Sequence, residues 1–133
     1  MTPDGMVVLE SAHGPAETAD RLVAAIGERG MTVMARIDHA AAAAKVGLDL
    51  RPTEVLMFGN PRSGTPLMQA AQSAGIDLPL KALVWQDADD RTWVGYNDPP
   101  WIAARHGVAG HATTDAMAAA LAAIASAATG APA

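Results

Sequence analysis

The sequence predicts a single α+β domain built on a mostly antiparallel sheet. Three observations point there. Short β-rich runs alternate with helical stretches along the chain. Two late strand-like runs, KALVWQD and RTWVGYND, follow each other with only a polar ADD turn between them, which makes a hairpin and argues against a doubly wound parallel sheet. The chain has 133 residues, half of them hydrophobic, enough for one core.

Each element has a local reason. MVVLES, from residue 6, is a short β-rich run. GPAETADRLVAAIGERG follows as a helix, with Pro15 in its first turn and Gly30 as its stop. Ala19, Leu22, Val23 and Ile26 share one face of it. MTVMARID alternates Val33, Ala35 and Ile37 against Thr32, Met34 and Arg36, a period of two that predicts a strand with one packed face. A short alanine-rich helix runs from His39 to a stop at Gly47. LDLRPT connects it to EVLMFGN, a continuously apolar strand. TPLMQAAQSAG is the next expected helix, with Thr65 as its cap, Pro66 in its first turn and Gly75 at its end. IDLPL is an extended link, and the hairpin comes next. PPWIAARHG opens a short helix, and TTDAMAAALAAIASAATG is the last one, with Met117, Leu121 and Ile124 on one face. Residues 1–126 are expected to form the domain and 127–133 a frayed tail.

Composition narrows the function classes. The formal net charge of -5 disfavours nucleic acid and anionic membrane surfaces as partners. With no cysteine, disulfides, zinc–thiolate sites, iron–sulfur clusters and thiol nucleophiles are excluded. The N-terminal residues have no basic region before an apolar run, and the alanine-rich C-terminal stretch reads as a helix and not a membrane span. A cytoplasmic location is the expectation.

Four short motifs occur together: FGNP, GTPLM, DLPLK and VGYNDP. With the stretch from Gly47 to Val108 around them, and ETADRLVAAIGERGMTVMARIDHAAAAAKVG before it, the chain closely resembles the bacterial and archaeal domain-of-unknown-function 302 family over roughly Val7 to Ile124. The resemblance implies a TATA-box-binding-protein-like β-α-β4-α fold with an inserted helix, commonly a homodimer. It implies no activity and no DNA binding, because function belongs to sites and not to folds.

The stretch MFGNPRSGTPLM carries the strongest chemical suggestion. Gly59 and Gly64 have the spacing of a phosphate loop, but Thr65 stands where its lysine should be and Pro66 where its metal-binding hydroxyl should be. The nucleotide reading therefore fails. Asn60-Pro61 and Ser63-Gly64 are turn dipeptides, with both glycines expected to supply positive φ or close backbone approach. A narrower reading keeps the N–H groups after Gly64, with Arg62 and Asn60, as a contact for a small anion.

Other candidates are thinner. His13, His39, His106 and His111 are the only histidines, and none has metal-ligand spacing. His39 beside Asp38 offers an acid–base pair, against the plainer role of capping the next helix. Ser11, Ser63, Ser73 and Ser126 lie in no nucleophile elbow. Four of the five aromatics fall within VWQDADDRTWVGYNDPPW, as core anchors and a dimer surface or as an apolar pocket with Tyr96 and Asn60 as polar fixtures. The preferred expectation is a homodimeric binding module for a small anionic or apolar ligand, with His39, Asn60, Arg62, Thr65, Trp85 and Tyr96 as its face. No catalytic constellation, metal or cofactor is assigned. The alternative is a small hydrolase- or isomerase-like enzyme using His39 with Asp38 or Asp98.

Overall fold

The computed structural model describes residues 2–130. Its elements are β1 (Met6–Ser11), α1 (Pro15–Glu28), β2 (Thr32–Asp38), α2 (His39–Lys45), β3 (Thr53–Gly59), α3 (Pro61–Ala70), a 3₁₀ turn (Gln72–Ile76), β4 (Leu80–Gln86), β5 (Thr92–Asn97), α4 (Pro99–Arg105) and α5 (Thr114–Thr129). The five strands form one sheet in the order β1-β5-β4-β3-β2, with every pairing antiparallel. This is the expected α+β class. Read through β1, α1, the four strands β2 to β5 and α5, the order is β-α-β4-α, with α2, α3 and α4 as inserts.

The helices α1 and α5 cover one face of the sheet. Leu22 and Ile26 of α1 and Leu121 and Ile124 of α5 close over Leu56, Phe58, Val84, Val94 and Tyr96, all buried. Apolar burial on this one face is the main favourable term of the fold. A smaller cluster, Leu67, Ala74, Ile102 and Ala103, joins α3, the 3₁₀ turn and α4. In the β4–β5 turn, Asp90 takes φ 60 and the Asp87 carboxylate accepts N–H bonds from Asp89 and Arg91 at 2.9 and 3.0 Å. The short polar side chain is what makes such a turn affordable to a non-glycine residue.

Three expectations are corrected here. The first concerns β2. Val33 pairs with Phe58, but Ala35 pairs with Met57, so Met34 is the extra residue of a bulge. Alternation breaks at that point. Val33 stays on the helix-covered face, while Ala35 and Ile37 pass to the other face with Met57 and Val55. Arg36 thereby reaches the helix side, where it meets Asp20 of α1 at 3.3 Å and Glu54 at 2.9 Å.

The second concerns α3. It begins at Pro61, four residues before the expected cap, because the Asn60 side chain already caps it by accepting the Arg62 N–H at 2.9 Å. Thr65 and Pro66 lie inside the helix, and the helix closes at Ala70 before the 3₁₀ turn. The third concerns the C-terminal end. Helix α5 does not fray at 127 but runs through Thr129. The Thr129 hydroxyl donates to the Ala125 carbonyl at 2.8 Å, and the Thr129 carbonyl accepts the Ala12 N–H at 2.9 Å, which ties the helix end to the end of β1. The expected tail beyond Gly130 lies outside the described residues.

Candidate functional site

An apolar cavity lies at one end of the helix-covered face. Four chain segments converge there: the entry to β2, the β3–α3 corner, the entry to β4 and the first turns of α5. They leave a cavity of about 280 Å³. Four methionines line it: Met31, Met34, Met68 and Met117. Pro61, Leu78, Pro79, Leu80, Ala116 and Ala120 complete the apolar wall, and Asn60, Ser63 and Thr65 supply its polar groups.

Local structure explains how this space stays open. The β2 bulge places Met34 toward it, where a regular strand would have set the neighbouring side chains differently. Gly59 and Gly64 do not take positive φ, the first of the two roles expected of them. Their role is spatial. A Cβ at Gly59 would sit 3.8 Å from Pro79 Cβ, and one at Gly64 would sit 3.8 Å from Leu78 Cδ1. These are ordinary contacts, so each missing methyl is room left in the wall. The methionine thioethers are flexible and polarisable, so the wall adapts to shape.

The small-anion reading of this loop is overturned by the same corner. The first N–H of α3 is removed by Pro61, the second is capped by Asn60, and those of Ser63 and Gly64 both donate to the Asn60 carbonyl at 2.9 and 3.1 Å. No N–H after Gly64 faces outward from a helix end, because the helix began earlier. Arg62 is exposed and does not line the cavity.

The six expected site residues are therefore divided. Asn60 and Thr65 line the cavity. Tyr96 is buried in the main core under α1 and α5, with its phenol pushed up by burial and by the nearby Asp98 charge. Trp85 stands on the opposite face of the sheet, packed against Gly95. His39 is an exposed first residue of α2, and the helix cap is Asp38, whose carboxylate accepts the Ala41 N–H at 2.9 Å. Asp98 is not its neighbour either. It follows β5, and β3 and β4 stand between β5 and β2, a separation of roughly 14 Å at the usual strand spacing. The acid–base pairings of His39 with Asp98, or with a free Asp38 carboxylate, are not assembled. Residue reasoning missed the four methionines; the available signal was their number, seven in the chain.

The model for the family described as "Domain of unknown function DUF302" matches residues 7–127. This chain belongs to the DUF302 family. A solved structure of a conserved DUF302 protein from Bacillus stearothermophilus superposes with a TM-score of 0.81, covering 94% of this chain and 98% of that one at 21% identity. That likeness is one of fold. Two curated relatives are named fluoride-specific ion channel FluC 1. The one from Brucella suis biovar 1 is 48% identical over 102 residues, covering 77% of this chain and 40% of its own length. The one from Brucella abortus biovar 1 is 48% identical over 102 residues, with 77% and 38% covered. This chain thus spans about two fifths of the length of those relatives, and among its described residues no helix is long and apolar enough to cross a membrane.

Proposed function

We propose that this DUF302 domain is a homodimeric binding module, and that its ligand is a small uncharged apolar molecule held among the four methionines. The observation that carries the reading is the 280 Å³ cavity with its methionine and proline wall and its few hydroxyl and amide groups. An apolar ligand is favoured over an anion because the N–H groups of the adjacent helix start are already bonded.

Thermal unfolding in the presence of indole and of n-hexanol tests it. A saturable rise in Tm is expected, since a ligand bound to the folded state alone stabilises it. Ala120→Phe, which fills the cavity from α5, is expected to abolish that rise. A flat response of the parent chain to both probes would overturn the reading.

The homodimer rests on surfaces left uncovered in one chain. The sheet face opposite α1 and α5 carries Val8, Val55, Met57, Leu83, Trp85 and Trp93, all half-buried. Helix α2 buries none of its residues, and the loop after it exposes Val46, Leu48 and Leu50 at 71%, 64% and 49%. Exposed apolar surface of this kind marks an interaction site.

The likeness to the two Brucella proteins favours a second reading, in which the same module works beside a membrane channel. Fluoride efflux from vesicles carrying such a channel, with and without this chain added, is the check; an unchanged rate would remove that reading and leave the cavity untouched.

A further inference from the structure

Away from the cavity, the 3₁₀ turn and the end of α4 bring together a serine, a histidine and an aspartate that are scattered in the sequence. The Ser73 hydroxyl lies 2.7 Å from His106 Nδ1, and His106 Nε2 is hydrogen-bonded to Asp77 Oδ2. Ser73 and Asp77 belong to one turn, four residues apart, and His106 caps α4 thirty-three residues beyond Ser73. The supports are rigid. The His106 N–H donates to the Ile102 and Ala103 carbonyls, and the Asp77 N–H to the Ala74 carbonyl at 3.0 Å. Ala74, Ile102 and Ala103 beneath them are buried.

The hydrogen-bond pattern places one of the ring protons, that on His106 Nε2. Asp77 receives Arg105 Nη1 at 2.8 Å on both oxygens. Burial pushes its carboxyl up, but the bonds from His106 and Arg105, with their charges, outweigh that and hold it below the ordinary carboxylate range. An ionised carboxylate only accepts, so Nε2 must carry a proton toward it. In the neutral ring, Nδ1 is then the bare nitrogen, and it accepts the Ser73 O–H. The side chains of His106 and Asp77 are 7% and 12% exposed, while Ser73 is exposed and open to a substrate. This is the arrangement of nucleophile, base and orienter that acyl transfer needs, with the two ring nitrogens exchanging duties relative to the serine proteases.

We propose that Ser73 is an activated nucleophile for small acyl esters, with His106 as its base and Asp77 as the positioning residue. The Ser73 oxygen attacks the ester carbonyl carbon as its proton passes to His106 Nδ1. The carbon–oxygen bond to the alcohol then breaks, and His106 returns the proton to the departing alkoxide. Water, deprotonated by the same nitrogen, attacks the acyl-serine; the bond to Ser73 breaks and the proton goes back to its oxygen. Ester and water become acid and alcohol, with no other reactant.

The test is covalent labelling of the full chain with a fluorophosphonate, which requires only a nucleophile and its base, followed by peptide mass spectrometry and by p-nitrophenyl acetate hydrolysis. One adduct on Ser73 is expected. Ser73→Ala, at an exposed site that leaves folding intact by circular dichroism, abolishes it, and His106→Gln slows it by on the order of 100-fold or more. Nitrogen-15 NMR of His106 is expected to show a protonated Nε2 and a bare Nδ1, a pattern that Asp77→Asn disturbs. No adduct on the folded parent chain, an adduct elsewhere, or a His106 ring protonated on both nitrogens at neutral pH would overturn the assignment.

Discussion

Gly64 and Asp77 show how much single residues decide here. Gly64 sits within α3 at an ordinary helical φ, and an added Cβ would meet Leu78 Cδ1 at 3.8 Å and Met68 Cε at 4.0 Å. Gly64→Ala is therefore expected to stabilise the chain by about 0.5–1 kcal/mol in urea unfolding, while narrowing the cavity. For Asp77 the pH dependence has a fixed sign. Its carboxyl lies lower in the folded chain than in the unfolded one, so its contribution is present above the ordinary carboxylate value and disappears as the pH falls through the folded value. Asp77→Asn is expected to lower Tm at neutral pH and to match the parent at strongly acidic pH. A Tm difference that did not shrink on acidification would contradict this. Neither role is legible locally. Gly64 reads as a turn glycine beside Ser63, and Asp77 is one carboxylate in a link, until the fold sets Leu78 against one and His106 against the other.

At the scale of elements, strand and helix identities were legible because each has its own period and its own punctuation: Pro15 and Gly30 around α1, the polar turn between β4 and β5, the one-sided stripe of α5. What failed were boundaries decided by one side chain or one extra residue. Asn60 starts α3 early, and the Met34 bulge reverses the faces of β2. Both failures have the same physical form, a local hydrogen bond or insertion that overrides a repeating pattern. The end of α5 is similar. A chain stopped at residue 126 would lose buried Ala128 and Thr129 and the bond from Ala12 to the Thr129 carbonyl, and is expected to be less stable by about 2–4 kcal/mol in urea unfolding. On β5, a Cβ at Gly95 would meet the Met6 methyl and come within 3.0 Å of the Trp85 ring. Gly95→Ala is expected to cost about 1–3 kcal/mol through overpacking, read in the same titration.

For the whole molecule, the decisive feature is a sheet with two unlike faces. One is sealed by α1 and α5, and the other is apolar but only half-buried in a single chain. A second copy covering roughly 800 Å² on each partner would give an interface of standard size. Sedimentation equilibrium is expected to show a dimer, and Leu48→Glu together with Leu50→Glu is expected to weaken it at least about tenfold, since each places a charge in the apolar loop. A monomer at every concentration tested would exclude that assembly without bearing on the cavity or on Ser73.

By itself the sequence determined the α+β class, the order of elements, the packed faces of α1 and α5 and, through the absence of cysteine, the chemistry that is closed to this protein. These properties follow from periodicity and turn chemistry, which act over a few neighbouring residues. Only the tertiary structure decided that four methionines from four segments share one cavity, that Trp85 and Tyr96 face opposite ways, and that Ser73, Asp77 and His106 form one hydrogen-bonded chain. Such groupings depend on how distant segments pack and on where a cap or a bulge shifts the register, and no local pattern encodes that distance.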